Sequence, residues 1–350
     1  MATIPPTRQF SPQSPSAAAL RLASVVHLLA RWGIESAAAT VKDFSISPAA
    51  SRLNTALDKV VSSLYANKLD AHLSKRELHL LTGLELGTWC GGKRGSIERR
   101  WESLGFLLWY LRILPPPGTI PRPYQPITAL HTRDSLFLST GIQPQNSSSV
   151  ARFLAKFPPN ASTSSLAVDP DDLRSCLNLY EAWYWRSRAQ RVLEVTARTS
   201  LSSSDDSTSA STSPSPRIPR ALSNLSRHIP SAITSAADIL SSSGTLLPSE
   251  TAAVHETHPM HSHGLVRDFL PTGPGSVGHV PYSSLSPAQR APFESIVQTR
   301  LAEAGWCAGL CKVDAEGDDE GFAFVNPVSA IWKAEEPISE GGQGVPAVNV

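Results

Sequence analysis

Several groups of residues in this chain of 350 have the types and spacing that chemistry uses. His255, His258, His261 and His263 lie close together with Glu256 among them, and neutral imidazoles at such intervals bind zinc, copper or nickel. A structural or catalytic metal site needs ligands fixed by ordered elements, however. This run is flanked by proline and serine, with no helix or strand to set a geometry. It reads as metal affinity without a built site. Cys307 and Cys311, separated by three residues where a metal knuckle has two, add little to it.

Gly87-Thr88-Trp89-Cys90-Gly91-Gly92-Lys93-Arg94 nearly matches a phosphate-cradling loop, but Arg94 stands where Ser or Thr must hold magnesium. That loop also follows a buried strand, whereas a capped helix is expected before it here, so a glycine-rich connector is the better description. Asp314, Glu316, Asp318, Asp319 and Glu320 resemble a calcium loop in charge alone. Asp319 occupies the position of the obligatory glycine and Val325 that of the closing glutamate, and a solvated hairpin turn accounts for the acids.

Glu102 and Glu181 are the more informative acids, because each lies beside an aromatic stripe on a long helix, where an unpaired carboxylate titrates high. Together with Arg100 and Arg188 they make a candidate polar site. Trp101, Trp109, Trp183 and Trp185 would line it in a pocket between two long helices, placed for acid/base work on a ring-bearing ligand. The preferred alternative is that Arg100, Arg186 and Arg188 hold the two acids in internal ion pairs tying helix to helix. No serine elbow and no Cys with a fixed His completes a nucleophilic site, and nothing calls for a cofactor.

The elements that must position these residues follow from apolar periodicity. Ser16 to Trp32 predicts a first helix closed by Gly33, and Ser47-Pro48 opens a second with Leu53, Leu57, Val60, Val61 and Leu64 on its buried face. Ser74 and Glu77 form a capping box, stapled by Leu73 and Leu78, on a short helix ending near Gly83. A central helix from Ser96 to Leu114 carries two apolar stripes, so it needs two neighbours, and it stops at Pro115, Pro116 and Pro117. After a short helix from Ser148 to Phe157, the acid-rich start at Asp169-Pro170 opens a second long helix reaching Arg198. Ser286-Pro287 opens the last, ending at Gly305, with Phe293, Ile296, Val297, Arg300 and Leu301 on one face. Phe322 to Val325 is expected to pair with Trp306 to Val313 as a small hairpin.

The fold class is therefore mainly α, an irregular helical bundle with long disordered insertions and one small β-hairpin near the C-terminus. Its organisation reads as a disordered 1–14, a helical core at 15–198 and a low-complexity, mostly disordered 199–285. A helix and hairpin at 286–334 pack on the core, and a disordered tail covers 335–350. With 31 basic and 30 acidic side chains and no basic run, nothing points to nucleic acid, and a protein partner is the expectation. No apolar run approaches the roughly 18 residues of a membrane span, so no membrane association is expected. Arg8, Arg21 and Arg31, with no acid before Glu35, have the composition of a mitochondrial transit peptide, but the same residues are better used as a helix of the fold. The four scattered cysteines read as reduced thiols of the cytosol or nucleus, with the mitochondrial matrix as the alternative. The oligomeric state is left open.

Four blocks in order carry a family resemblance. They are Leu28-Leu29-Ala30-Arg31-Trp32-Gly33-Ile34; Leu73-Ser74-Lys75-Arg76-Glu77; Arg100-Trp101-Glu102-Ser103-Leu104 running into Leu107-Leu108-Trp109-Tyr110-Leu111 and a proline exit; and Leu179-Tyr180-Glu181-Ala182-Trp183-Tyr184-Trp185-Arg186-Ser187-Arg188. Across Ala18 to Arg198 the chain resembles the family called domain of unknown function 4272. The resemblance implies a largely helical fold and supplies no catalytic residues. The chain departs from the family pattern after Arg188, where a long low-complexity insertion precedes the final helix.

Overall fold

Ser14 accepts a hydrogen bond from the Ala17 amide and Pro15 takes the first helical position, so α1 (Pro15–Ala38) starts where cap and proline both favour it. The computed structural model describes residues 10–41, 44, 47–114, 126–160, 166–177, 179–180, 183–184, 187, 269–271, 279–281 and 286–310. Gly33, expected to close α1, lies inside it. Ile34, Glu35 and Ala38 are buried beyond that glycine, and their packing outweighs its helix penalty of about 1 kcal/mol. α1 is also long and apolar enough to cross a membrane, with an 18-residue window of mean hydropathy 1.3, a length and character not expected of any segment. Of that window 72% is buried inside the fold, and Arg21 and Arg31 on the helix are ion-paired, as suits the central helix of a protein core.

The other helices gather around α1. α2 (Pro48–Ala66) is capped by Ser47 and buries Leu57, Val60, Ser63 and Leu64 against it, with Leu53 and Val61 half-buried at the edge. α3 (Lys75–Thr82) carries the capping box with both halves formed and ends at Gly83, as its local sequence dictates. The expected glycine-rich connector and central helix are divided differently. Gly91 to Glu98 is already helical (α4), and α5 (Arg100–Tyr110) follows directly, so the expected single helix is two, meeting at Arg99. Trp89 and Ile97, both buried, anchor the two ends of α4, and the Trp32 indole donates to the Arg94 carbonyl to fix it to α1.

Every residue from Trp101 to Tyr110 is buried, so α5 is packed on all sides instead of along two stripes. It ends four residues before the expected Leu114, and Arg112 beyond it turns left-handed at φ 53°. The Arg112 and Ile113 amides close back on the Trp109 and Leu108 carbonyls. Three short helices follow: α6 (Ile127–Leu130), α7 (Arg133–Thr140) and α8 (Ser147–Leu154), the last capped by Asn146, starting where expected and ending three residues before the expected Phe157. Helical backbone resumes at 170–177, 179–180, 183–184 and 187, burying Leu173, Cys176, Tyr180 and Trp183.

α9 (Pro287–Cys307) packs against α5, so the C-terminal helix joins the same core as the N-terminal ones. Trp306 and Cys307 are its last turn, which corrects the expected strand at Trp306. Burial of both side chains on the core favours helix over the alternation visible in sequence. The strands observed are instead β1 (Phe269–Pro271) and β2 (His279–Pro281), antiparallel with Leu270 opposite Val280, within the stretch expected to be low-complexity. Residues 10–14, expected to be disordered, are held against the end of α9: the Ser11 and Gln13 amides donate to the Ala308 and Cys307 carbonyls. Gly309, left-handed at φ 73°, lets this strap pass, since a Cβ there would meet the Ser11 carbonyl oxygen at 2.3 Å.

Candidate functional site

Of the acids and bases singled out in sequence, the described ones are Glu102, which is buried, and Arg100, which is half-buried, and they do not meet one another. Arg100 reaches Glu77, its Nε 2.9 Å from Oε1, while Glu102 on the same helix reaches Arg300. Two separate clusters result, each built by helices far apart in the chain.

In the first, Arg21 projects from α1 between α3 and α9. Its Nε donates to Glu303 Oε1 at 2.8 Å, Nη1 and Nη2 donate to the two oxygens of Glu77 at 2.8 and 3.1 Å, and Nη1 also meets the His72 carbonyl. Glu77 accepts the Ser74 amide as well, so the residue that caps α3 is also the anchor for two arginines. Two cations face two anions, and the cluster is neutral. Burial pushes the Glu77 carboxyl up, but Arg100 and Arg21 outweigh it and hold it well below the usual carboxylate range. Burial likewise works against the charge on Arg21, and Glu303 and Glu77 more than restore it.

In the second, Arg300 Nε and Nη2 both donate to Glu102 Oε2, at 2.9 and 2.7 Å, while Glu102 Oε1 accepts the Ile127 amide at 3.0 Å. Tyr180 lies against the same guanidinium, and burial raises its phenol well above the ordinary value. The candidate tryptophans are equally dispersed. Trp101 is wedged edge-on between Trp32 and Phe137, Trp109 packs on Phe106, and Trp183 packs on Phe293 of α9. These rings are part of the interior of the bundle, and none of them lines the groove described below. Glu181, Trp185, Arg186 and Arg188 lie outside the described residues, as do the histidines 255–263, the acids 314–320 and Cys311. Among the described residues, no three His, Cys, Asp or Glu side chains are grouped to hold a metal, and Cys90, Cys176 and Cys307 are not in disulfides.

Sequence reasoning passed over Arg21, Arg31, Glu35, Arg300 and Glu303 as site residues. Arg21 and Arg31 did carry a signal, since both sit among the apolar residues of α1 where an uncompensated charge would not be tolerated. Arg31 leads to an open groove. It is paired with Glu35 at 2.5 Å and lines a groove of about 630 Å3 between α2 and the α3–α4 connection, with Leu57, Asp58, Leu84 and Glu85 among its walls. The groove lies away from both ion-pair clusters.

Compared with family models, curated proteins and solved structures, the chain matches none.

Proposed function

We propose that the protein is a helical binding module, and not an enzyme working through its central acids. The observation that carries this reading is the state of Glu102. Both of its oxygens are engaged, by Arg300 and by the Ile127 amide, and Arg100 is committed to Glu77, so both groups serve as ties between helices. The near balance of basic and acidic side chains supports a protein partner over nucleic acid, and the proposed setting is the cytosol or nucleus. Membership of the family called domain of unknown function 4272 is proposed on the four sequence blocks. What supports it is that the first three blocks carry Arg31, Glu77, Arg100 and Glu102, all members of ion pairs. Incubation with a broad panel of hydrolase and transferase substrates tests the non-catalytic reading. No turnover is expected. Turnover that Glu102→Gln abolishes, with the circular-dichroism spectrum and unfolding midpoint retained, would overturn it.

A second reading, small-ligand binding, is favoured by the groove beside Arg31. It moves the pocket from between the two long helices to the space between α2 and the α3–α4 connection.

A further inference from the structure

Arg31 is fully buried, yet only part of its guanidinium is used. Nη2 donates to Glu35 Oε1 and lies 3.0 Å from each of the Leu84 and Glu85 carbonyls, whereas Nε and Nη1 meet no acceptor. The Trp89 ring lies 5.5 Å from the guanidinium carbon, and its indole N–H also meets none. Arg31 lines a groove of small-molecule size, so its two unmet donors belong to a side chain of that groove's wall. A buried donor on a charged group is the costliest kind to leave unmet, and the ligand that relieves it must bring oxygen or nitrogen acceptors.

The charge of that ligand follows from the surroundings. Glu35 already neutralises Arg31, and Asp58 and Glu85, both exposed on the groove walls, make the space net negative. An anion is repelled. Both forked edges of a guanidinium, Nε with Nη2 and Nη1 with Nη2, include Nη2, which is occupied here, so no edge is open to a bidentate carboxylate or phosphate. An ammonium would suit the two acids but offers nothing to the unmet donors. A neutral, single-point acceptor fits both constraints, and Leu57, Val61, Leu84 and Leu86 provide apolar wall for its body.

We propose that this groove binds a neutral small molecule with an apolar body and a carbonyl oxygen, the oxygen accepting from Arg31. The inference rests on the small-ligand reading above. The test uses the full chain, 15N-labelled, with three probes of one shape: hexanamide, hexanoate and hexylamine. Hexanamide should shift the Arg31 Nε–H and Trp89 Nε1–H resonances saturably, with a Kd on the order of 1 mM, and the two charged probes should bind at least about tenfold more weakly. Ser62→Trp, an exposed change on the groove wall that leaves Arg31 in place, should abolish the hexanamide shift while the unfolding midpoint holds. No shift with hexanamide would mean that water meets these donors, and would overturn the proposal. So would equal binding of hexanoate, or a shift that persists in Ser62→Trp. Any of these leaves the non-catalytic reading untouched, because turnover alone decides that one.

Discussion

Arg300 Nη2 lies 2.7 Å from Glu102 Oε2, closing a buried ion pair between residues 198 positions apart in the chain. Because Glu102 also holds the Ile127 amide, one carboxylate ties α5, α6 and α9 together. The bond adds a polar tie to the apolar packing that already seats α9 on α5.

Breaking this pair from one side should be severe. Glu102→Leu leaves Arg300 without its carboxylate and the Ile127 amide without its acceptor, for an expected loss of about 3–5 kcal/mol in urea unfolding. Arg300→Met should cost less, since Glu102 keeps the Ile127 amide. The double variant should cost clearly less than the sum of the two, and simple additivity would show that the two side chains are not coupled.

The Arg21 cluster makes stability depend on acid. Burial raises the Glu77 carboxyl, but Arg100 and then Arg21 depress it further, so the folded protein holds Glu77 ionised where the unfolded chain protonates it. A depressed folded value means the contribution is complete above the unfolded value of about 4.3 and is lost as pH falls below it. Unfolding midpoints measured from about pH 7 to about pH 3 should drop steeply in the acid range. Glu77→Gln should be less stable at neutral pH and show a flatter acid limb.

A second acid-sensitive group titrates nearer neutrality. His27 is fully buried on α1, with Nδ1 2.7 Å from the Ala23 carbonyl and Nε2 3.3 Å from Ser63 Oγ on α2. Burial lowers its value, and the carbonyls of Ala23 and Pro144 offset only part of that. Since the unfolded chain takes up the proton first, stability from this group is full above about pH 6.5 and declines as pH falls through the folded value. His72, lowered by burial and by Arg21, acts in the same direction. His27→Gln should therefore reduce the stability slope between about pH 6.5 and about pH 5 without removing it, and an unchanged slope would mean that His27 is not buried neutral.

What was legible in the sequence is what local chemistry decides. Ser74 and Glu77 are three residues apart, so their capping box could be read directly, and Ser47-Pro48 likewise marks the start of α2. The mainly helical class followed from periodicity alone. The partners of Glu102 and Arg100 were not legible, because a long-range pair leaves no trace in spacing. Arg300 stands on the apolar face of α9, but nothing in the spacing names its partner, and Glu303 looks like an ordinary surface charge until α9 is placed on the core. Trp306 shows the same limit from the other side: its strand-like neighbourhood yields to burial on the core, which only the tertiary fold supplies.

Gly105 gives a stringent test of how α5 and α6 are packed. In an exposed helix interior, replacing glycine by alanine stabilises by about 1 kcal/mol, so the default expectation for Gly105→Ala is a gain. Here a Cβ would lie 2.4 Å from Ile127 Cγ1 and 3.0 Å from its Cβ. Ile127 is buried, and its own amide is fixed by Glu102, so it cannot retreat without stretching that hydrogen bond. Overpacking of this kind costs about 1–3 kcal/mol and should exceed the helix gain, making Gly105→Ala net destabilising in urea unfolding. Ile127→Ala removes the clashing Cγ1, at the cost of a cavity. In that background Gly105→Ala should become neutral or stabilising, because the alanine then fills space that the isoleucine vacated. If Gly105→Ala stabilises the otherwise unaltered chain instead, α6 does not sit against α5 as closely as the geometry requires.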